Sequence, residues 1–173
     1  MKKLSGTLHS FKDAQNDPEI KKIDLQGRTM LPGFIDPHSH ISIVGMMDWM
    51  ANLRMCTSFS EIITVLKTYI VKRPQDDRNS VVIGFGYDHN FLEEHTHPTK
   101  EILNEVSKHI PILLLHISGH VGCCNDAALK IAEIDEMSID PEGGTIGRVA
   151  GTLEPNGYLE ETALHQVQTN YIV

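Results

Sequence analysis

The stretch Leu31-Pro32-Gly33-Phe34-Ile35-Asp36-Pro37-His38-Ser39-His40 constrains this chain more than any other. A Pro-Gly turn introduces the apolar pair Phe34-Ile35, an acid follows, and two histidines stand one residue apart. The pattern predicts a short buried strand over 33–36. In extended backbone, side chains at i and i+2 leave on the same face. His38 and His40 therefore offer two imidazole nitrogens to one metal ion from a single segment. The pair alone is weak evidence: with 10 histidines in 173 residues, about half an H-x-H pair arises by chance. A second pair, His95-Thr96-His97, has no apolar strand in front of it. The specificity lies in the surrounding string. Asp36, two residues before His38, reads equally as an orienting partner for a ligand imidazole or as a strand-end cap.

Bulk properties suit a soluble globular chain. At 173 residues it is ordinarily one domain with a usable core, and 40% hydrophobic with 22% charged residues is ordinary. A net charge of −8, from 15 basic and 23 acidic residues, argues against nucleic acid or an anionic membrane as the main partner. The longest apolar runs, 81–86 and 111–117, are far too short to span a bilayer. The N-terminus Met1-Lys2-Lys3-Leu4-Ser5-Gly6 has no apolar core region, so no signal peptide is expected. Cys56, Cys123 and Cys124 suggest neither a disulfide scaffold nor a C-x-x-C zinc site. They read as reduced thiols, which points to the cytoplasm.

Residues 1–20 are polar and expected to be frayed. Short strands are expected at 22–25 and 28–32, and a short helix over Met46–Leu53. Ser58-x-x-Glu61 is a capping-box signal. Phe59, Ile62, Ile63, Leu66, Tyr69 and Ile70 then recur at helical spacing, and Pro74 with the polar run 75–79 ends the helix. Ser80–Gly86 and Pro111–Ile117 are apolar throughout, as expected of strands buried on both faces. Thr99 is expected to cap a helix turning Ile102, Leu103 and Val106 inward, and Asn125 or Asp126 to open another through about Ile131. A loop over 140–144, a small hairpin over 145–154 and a helix over Tyr158–Gln168 complete the reading. Strands alternating with helices predict α/β layers.

Further motifs follow in order: Gly84-Phe85-Gly86-Tyr87-Asp88; Pro98-Thr99 with Leu103; Pro111-Ile112-Leu113-Leu114; Ser118-Gly119-His120; Asn125-Asp126-Ala127-Ala128-Leu129; Gly143-Gly144-Thr145-Ile146-Gly147-Arg148; and Gly157-Tyr158-Leu159-Glu160-Glu161-Thr162-Ala163. Together with the 31–40 string they resemble, over about residues 22–165, the amidohydrolase superfamily of TIM-barrel metal-dependent hydrolases. Within it they resemble the amidohydrolase 3 (YtcJ-like) branch, which includes N-substituted formamide deformylases. The resemblance implies an α/β fold with a partial TIM barrel. Residues 1–32 would be a β-sandwich remnant and entry strand, and 33–54 the first barrel strand and following helix. Residues 55–156 would be an α/β insertion walling the active site, and 157–173 a helix leading back to the barrel. Members of the family are much longer and draw further ligands from later strands. The resemblance therefore reads this chain as an internal piece, catalytically incomplete alone.

The implied chemistry is hydrolysis of a non-peptide C–N bond in a small amide- or formamide-type substrate through a metal-activated water. By resemblance, His38 and His40 are metal ligands for a divalent ion, Zn²⁺ first, with Asp36 behind them. His120 and Glu161 are catalytic, and Tyr87 and Asp88 face the substrate. Tyr87 stands where the family carries Trp. Each assignment has a plainer alternative. His120 can be satisfied by loop backbone, Tyr87 can cover core, and Glu161 can be a solvated helix glutamate, with Glu160 exposed beside it. His95 and His97 read as an exposed loop, Ser39 and Cys123-Cys124 as packing, and Gly143-Gly144 as a turn. Two histidines alone hold metal loosely, so the ion can be absent from this chain. The competing class is a non-catalytic binding or assembly module, or a remnant, derived from such an enzyme. An unfinished barrel exposes sheet edges that a second copy or a companion chain would cover.

Overall fold

The computed structural model describes residues 16, 18–21, 23–39, 41–74 and 80–169, which belong to two compact units, 1–39 and 40–173.

In the first unit the described residues from 18 to 39 form turns and bends with no regular helix or strand. The backbone turns at Gln26-Gly27, both with positive φ (51° and 76°). The Arg28 N–H donates to the Leu25 carbonyl at 3.0 Å, and the Gln26 N–H donates to Asp24 Oδ1 at 2.8 Å. This is hairpin turn chemistry, yet its flanks pair with nothing among the described residues. The strands expected at 22–25 (Lys22 lies outside the described residues) and 28–32 are not formed, and neither is the strand expected at 33–36. Phe34 and Ile35 are 93% and 89% exposed. The physical reason is that a two-stranded ribbon is marginal without a third strand or a packed face. A parallel strand, further, needs neighbours on both sides and cover on both faces. Most of the tail expected to be frayed lies outside the described residues.

The second unit opens with α1 (Ile41–Met46), a single 3-10 turn (Met47–Trp49) and β1 (Ala51–Asn52), in place of one helix over 46–53. There follow α2 (Phe59–Lys72), β2 (Val82–Tyr87), α3 (Lys100–Asn104), β3 (Ile112–His116), β4 (Val121–Cys124), α4 (Asp126–Ile131), β5 (Gly144–Arg148), β6 (Pro155–Glu160) and α5 (Glu161–Thr169). They build one six-stranded sheet in the order β1-β2-β3-β4-β6-β5. The first three strands are parallel and the remainder antiparallel. No described helix is long and apolar enough to cross a membrane.

Two of the three helix-start signals act as the chemistry requires. Ser58 Oγ accepts the Glu61 N–H at 3.3 Å, while the Glu61 carboxylate reaches one residue further back than a capping box, to the Thr57 N–H at 2.7 Å. Asn125 caps α4 through the Ala128 N–H at 3.0 Å. Thr99 stands at the N-cap of α3 without a side-chain bond. The polar run 75–79 lies outside the described residues; α2 ends at Lys72, before Pro74.

Three further elements differ from expectation. The strand β4 carries no β-branched pattern beyond Val121, and sequence periodicity does not announce it. The small hairpin is wider, β5 against β6. The last helix begins at Glu161, because Tyr158 belongs to β6, whose Pro155, Gly157 and Leu159 are buried in alternation. Pro and Gly are poor strand formers, which hides that strand in the sequence.

Both faces of the sheet are covered. Val82, Ile112, Leu114 and Cys123 face one core with Ile62 and Leu66 of α2 and Leu103 of α3. Leu113, Leu115, Cys124 and Leu159 face the other with Ala128 and Leu129 of α4 and Ala163, Leu164 and Val167 of α5. This is why β2 and β3 read as continuous apolar runs.

Candidate functional site

A cluster of polar rings gathers at the carboxyl ends of the parallel strands β2 and β3, the end at which open α/β sheets present their binding residues. Its geometry starts at Gly86. The β2–β3 register slips there, so that Phe85 pairs with Leu115 but Tyr87 with His116. Gly86 has φ +96°, and a Cβ on it would meet Arg54 Cγ. In an unbroken strand Tyr87 would share the face of Ile83 and Phe85. The bulge turns it to the Val82 face instead.

Tyr87 is thereby fully buried. Its hydroxyl meets His97 Nδ1 at 2.9 Å and Cys123 Sγ at 3.2 Å. His97 stacks on His89 (centroids 4.1 Å apart, planes 29° apart) and lies 4.9 Å from the Tyr158 ring. The His116 ring stands edge-on to Tyr87 at 5.2 Å. His116 Nδ1 accepts the Ser118 N–H at 3.1 Å and lies 2.9 Å from Ser118 Oγ. Asp88 Oδ1 accepts the Asn90 N–H at 2.9 Å. Asp88 Oδ1, His89 Nδ1 and His116 Nε2 all lie within 4.8 Å of one another, a set that could hold a metal ion.

Burial sets the protonation of this cluster. It pushes the Tyr87 hydroxyl up, with Cys123 reinforcing it, and pushes the Cys123 thiol up to about 12. It holds His97 down at about 4, with His89 and His116 adding to the effect. His116 is lowered too, by burial, against the pull of Asp88. The Asn90 N–H, first among several contacts, holds the Asp88 carboxyl below its usual range. The imidazoles of His97 and His116 are thus neutral near pH 7 and available as acceptors or ligands.

The residues expected from sequence are distributed as follows. Tyr87 and Asp88 are neighbours in this cluster, but Tyr87 acts inward on His97 rather than outward. His120 and Glu161 do come together: His120 Nδ1 lies 3.1 Å from Glu161 Oε1, and the Glu161 N–H donates to the His120 carbonyl at 3.0 Å. Both side chains are exposed. Glu161 stands at the start of α5 with φ +47°, a left-handed conformation that is strained for a glutamate. Nearby, a groove of about 510 Å³ is lined by Met46, Met50, Phe85, Leu115, Gly119 and His165. In the first unit Asp36 Oδ1 accepts the His38 N–H at 3.1 Å; His40 lies outside the described residues.

No sequence signal groups His89, His97 and His116; the sequence places His97 in an exposed loop and marks neither of the others. His95 is exposed, but His97 turns inward beside Pro98, held by the Tyr87 hydroxyl and by the His89 and Tyr158 rings. No spacing links residues 89, 97 and 116; the crossover between β2 and β3 does.

Comparison with known proteins gives this geometry a family. The sequence model of the amidohydrolase family matches residues 21–171. The Bacillus subtilis protein YtcJ is 33% identical over 161 residues, which is 93% of this chain and 30% of that protein. The N-substituted formamide deformylase of Arthrobacter pascens is 30% identical over 159 residues, 88% of this chain and 28% of the enzyme. The chain therefore spans under a third of the length of these relatives. A solved structure of an uncharacterized metal-dependent hydrolase from Pyrococcus horikoshii OT3 superposes with a TM-score of 0.52 at 26% identity, covering 80% of this chain and 24% of that one. The motifs, the sheet that carries them and these likenesses agree: the chain belongs to the amidohydrolase family.

Proposed function

We propose that this chain carries the first metal-ligand pair and part of the substrate wall of a metal-dependent hydrolase. Its reaction would be cleavage of a non-peptide C–N bond of the amide or formamide type, on a partial TIM barrel. The observation that carries this reading is the family match over residues 21–171, which spans the His38-x-His40 string. His38 and His40 supply the imidazole donors that zinc prefers, and Asp36 shapes the turn bearing the first of them. A divalent ion bound there supplies Lewis acidity, polarising a carbonyl and making water nucleophilic near neutral pH.

The remaining work falls to side chains of this chain. Glu161 accepts from His120 Nδ1–H, which leaves Nε2 able to hydrogen-bond a substrate carbonyl. Tyr87 steadies His97, and Asp88 adds a carboxylate to the wall. A second reading, an assembly module that completes its site with a companion polypeptide, is favoured by the exposure of Phe34 and Ile35, 93% and 89%.

Zinc stoichiometry by equilibrium dialysis, with amine release from N-substituted formamides measured in parallel, tests both. Substituting His38→Ala together with His40→Ala is expected to abolish the weak phase of zinc uptake, seen at high zinc concentration. The 173-residue chain by itself is expected to release amine only at a trace rate. Zinc uptake indifferent to the double substitution sinks the metal assignment. Full turnover by the chain alone sinks the incompleteness.

A further inference from the structure

The ring cluster at the ends of β2 and β3 contains more than a pocket wall. His89 Nδ1 and His116 Nε2 are 3.3 Å apart. Asp88 Oδ1 lies 3.7 Å from the His116 nitrogen and 3.9 Å from the His89 nitrogen. These three separations put the equidistant point about 2.1 Å from each donor, the length of a zinc–imidazole or zinc–carboxylate bond. Such a triangle, with edges under 4 Å, leaves no room for a water-sized ligand between its atoms and fits a single ion.

We infer that Asp88, His89 and His116 form a second divalent transition-metal site, distinct in its residues from His38 and His40. Two imidazoles and one carboxylate suit Zn²⁺, and three protein donors leave one position open to water or a substrate atom. The ion joins the carboxyl ends of two neighbouring parallel strands. Asp88 then enters the pocket wall as a ligand.

Ser118 offers His116 Nδ1 both a donor and an acceptor. Its N–H donates to His116 Nδ1 at 3.1 Å, which puts the imidazole proton on Nε2. Ligation through Nε2 needs the proton on Nδ1, and Ser118 Oγ at 2.9 Å is placed to accept it. Ser118 is therefore a positioning residue for the site.

The test uses the full 173-residue chain carrying His38→Ala and His40→Ala, so that this site and the one proposed above fail separately. After chelation and dialysis, Zn²⁺ is titrated and counted by elemental analysis, and Co²⁺ is followed by visible absorption. One equivalent is expected, with the intense bands of a four- or five-coordinate Co²⁺ and a raised Tm. In that background His89→Ala is expected to weaken binding at least tenfold, and Ser118→Ala, which leaves only the backbone donor at Nδ1, by roughly 10–100-fold. His116 is nearly buried, so His116→Gln is used if His116→Ala does not fold. An absence of bound metal in the His38→Ala, His40→Ala chain overturns the site. So does an affinity that His89→Ala and Ser118→Ala leave unchanged.

Discussion

Asn125 shows how much a single residue does here. It is fully buried, and its side-chain amide is saturated. Oδ1 accepts the Ile112 and Ala128 N–H groups, both at 3.0 Å. Nδ2 donates to the Ser107 and Ile110 carbonyls at 2.8 and 2.9 Å. One residue thus caps α4, fixes the start of β3 and closes the loop before it. Asn125→Ala strands four buried or half-buried backbone groups and is expected to cost about 3 kcal/mol, against about 1 kcal/mol for loss of the Ser58 cap. Urea unfolding of Asn125→Ala and Ser58→Ala decides it: equal losses would reduce Asn125 to an ordinary cap. The cap was legible from Asn125 followed by an apolar helical run. The reach to Ser107 and Ile110 was not, because those carbonyls come close only once β3 has docked.

Among the elements, β2 carries the most information. The motif Gly84-Phe85-Gly86-Tyr87-Asp88 has a mechanical explanation: Gly84 lets Leu53 and Leu114 close over the strand, and Gly86 bulges it so that Tyr87 changes face. A side chain at position 86 meets both a positive φ and Arg54. Gly86→Ala is expected to cost about 1–2 kcal/mol and to release Tyr87 from His97. Nitration by tetranitromethane, mapped by mass spectrometry, reads this directly. Tyr87 should be protected in the parent chain and modified in the variant; continued protection would show that the bulge does not set its direction.

For the whole molecule, the histidine cluster couples stability to pH. A free histidine titrates near 6.5, whereas burial, aided by His89 and His116 and opposed by Glu160 and Asp88, holds His97 at about 4, and His116 is lowered likewise. Between those limits the unfolded chain binds more protons than the folded one, so stability falls as pH drops. After chelation of metal, the urea midpoint is expected to be level above about pH 6.5 and to decline from there toward about pH 4. His97→Phe should flatten part of that slope, and an unchanged slope would place the coupling elsewhere.

By itself, the amino-acid sequence determined the family, the α/β layering, the two doubly buried strands, the helix start at Ser58 and, to within one residue, the start at Asn125. Each of these rests on local chemistry or on periodicity within one segment. Tertiary structure decided what depends on neighbours. Residues 33–36 need flanking strands to become one, and among the described residues they have none. The strands β4 and β6 exist because β3 and β5 supply their hydrogen bonds, against the weak propensity of Gly, Cys and Pro. His89, His97 and His116 meet only because a parallel crossover and one bulged glycine bring the ends of β2 and β3 to the same place.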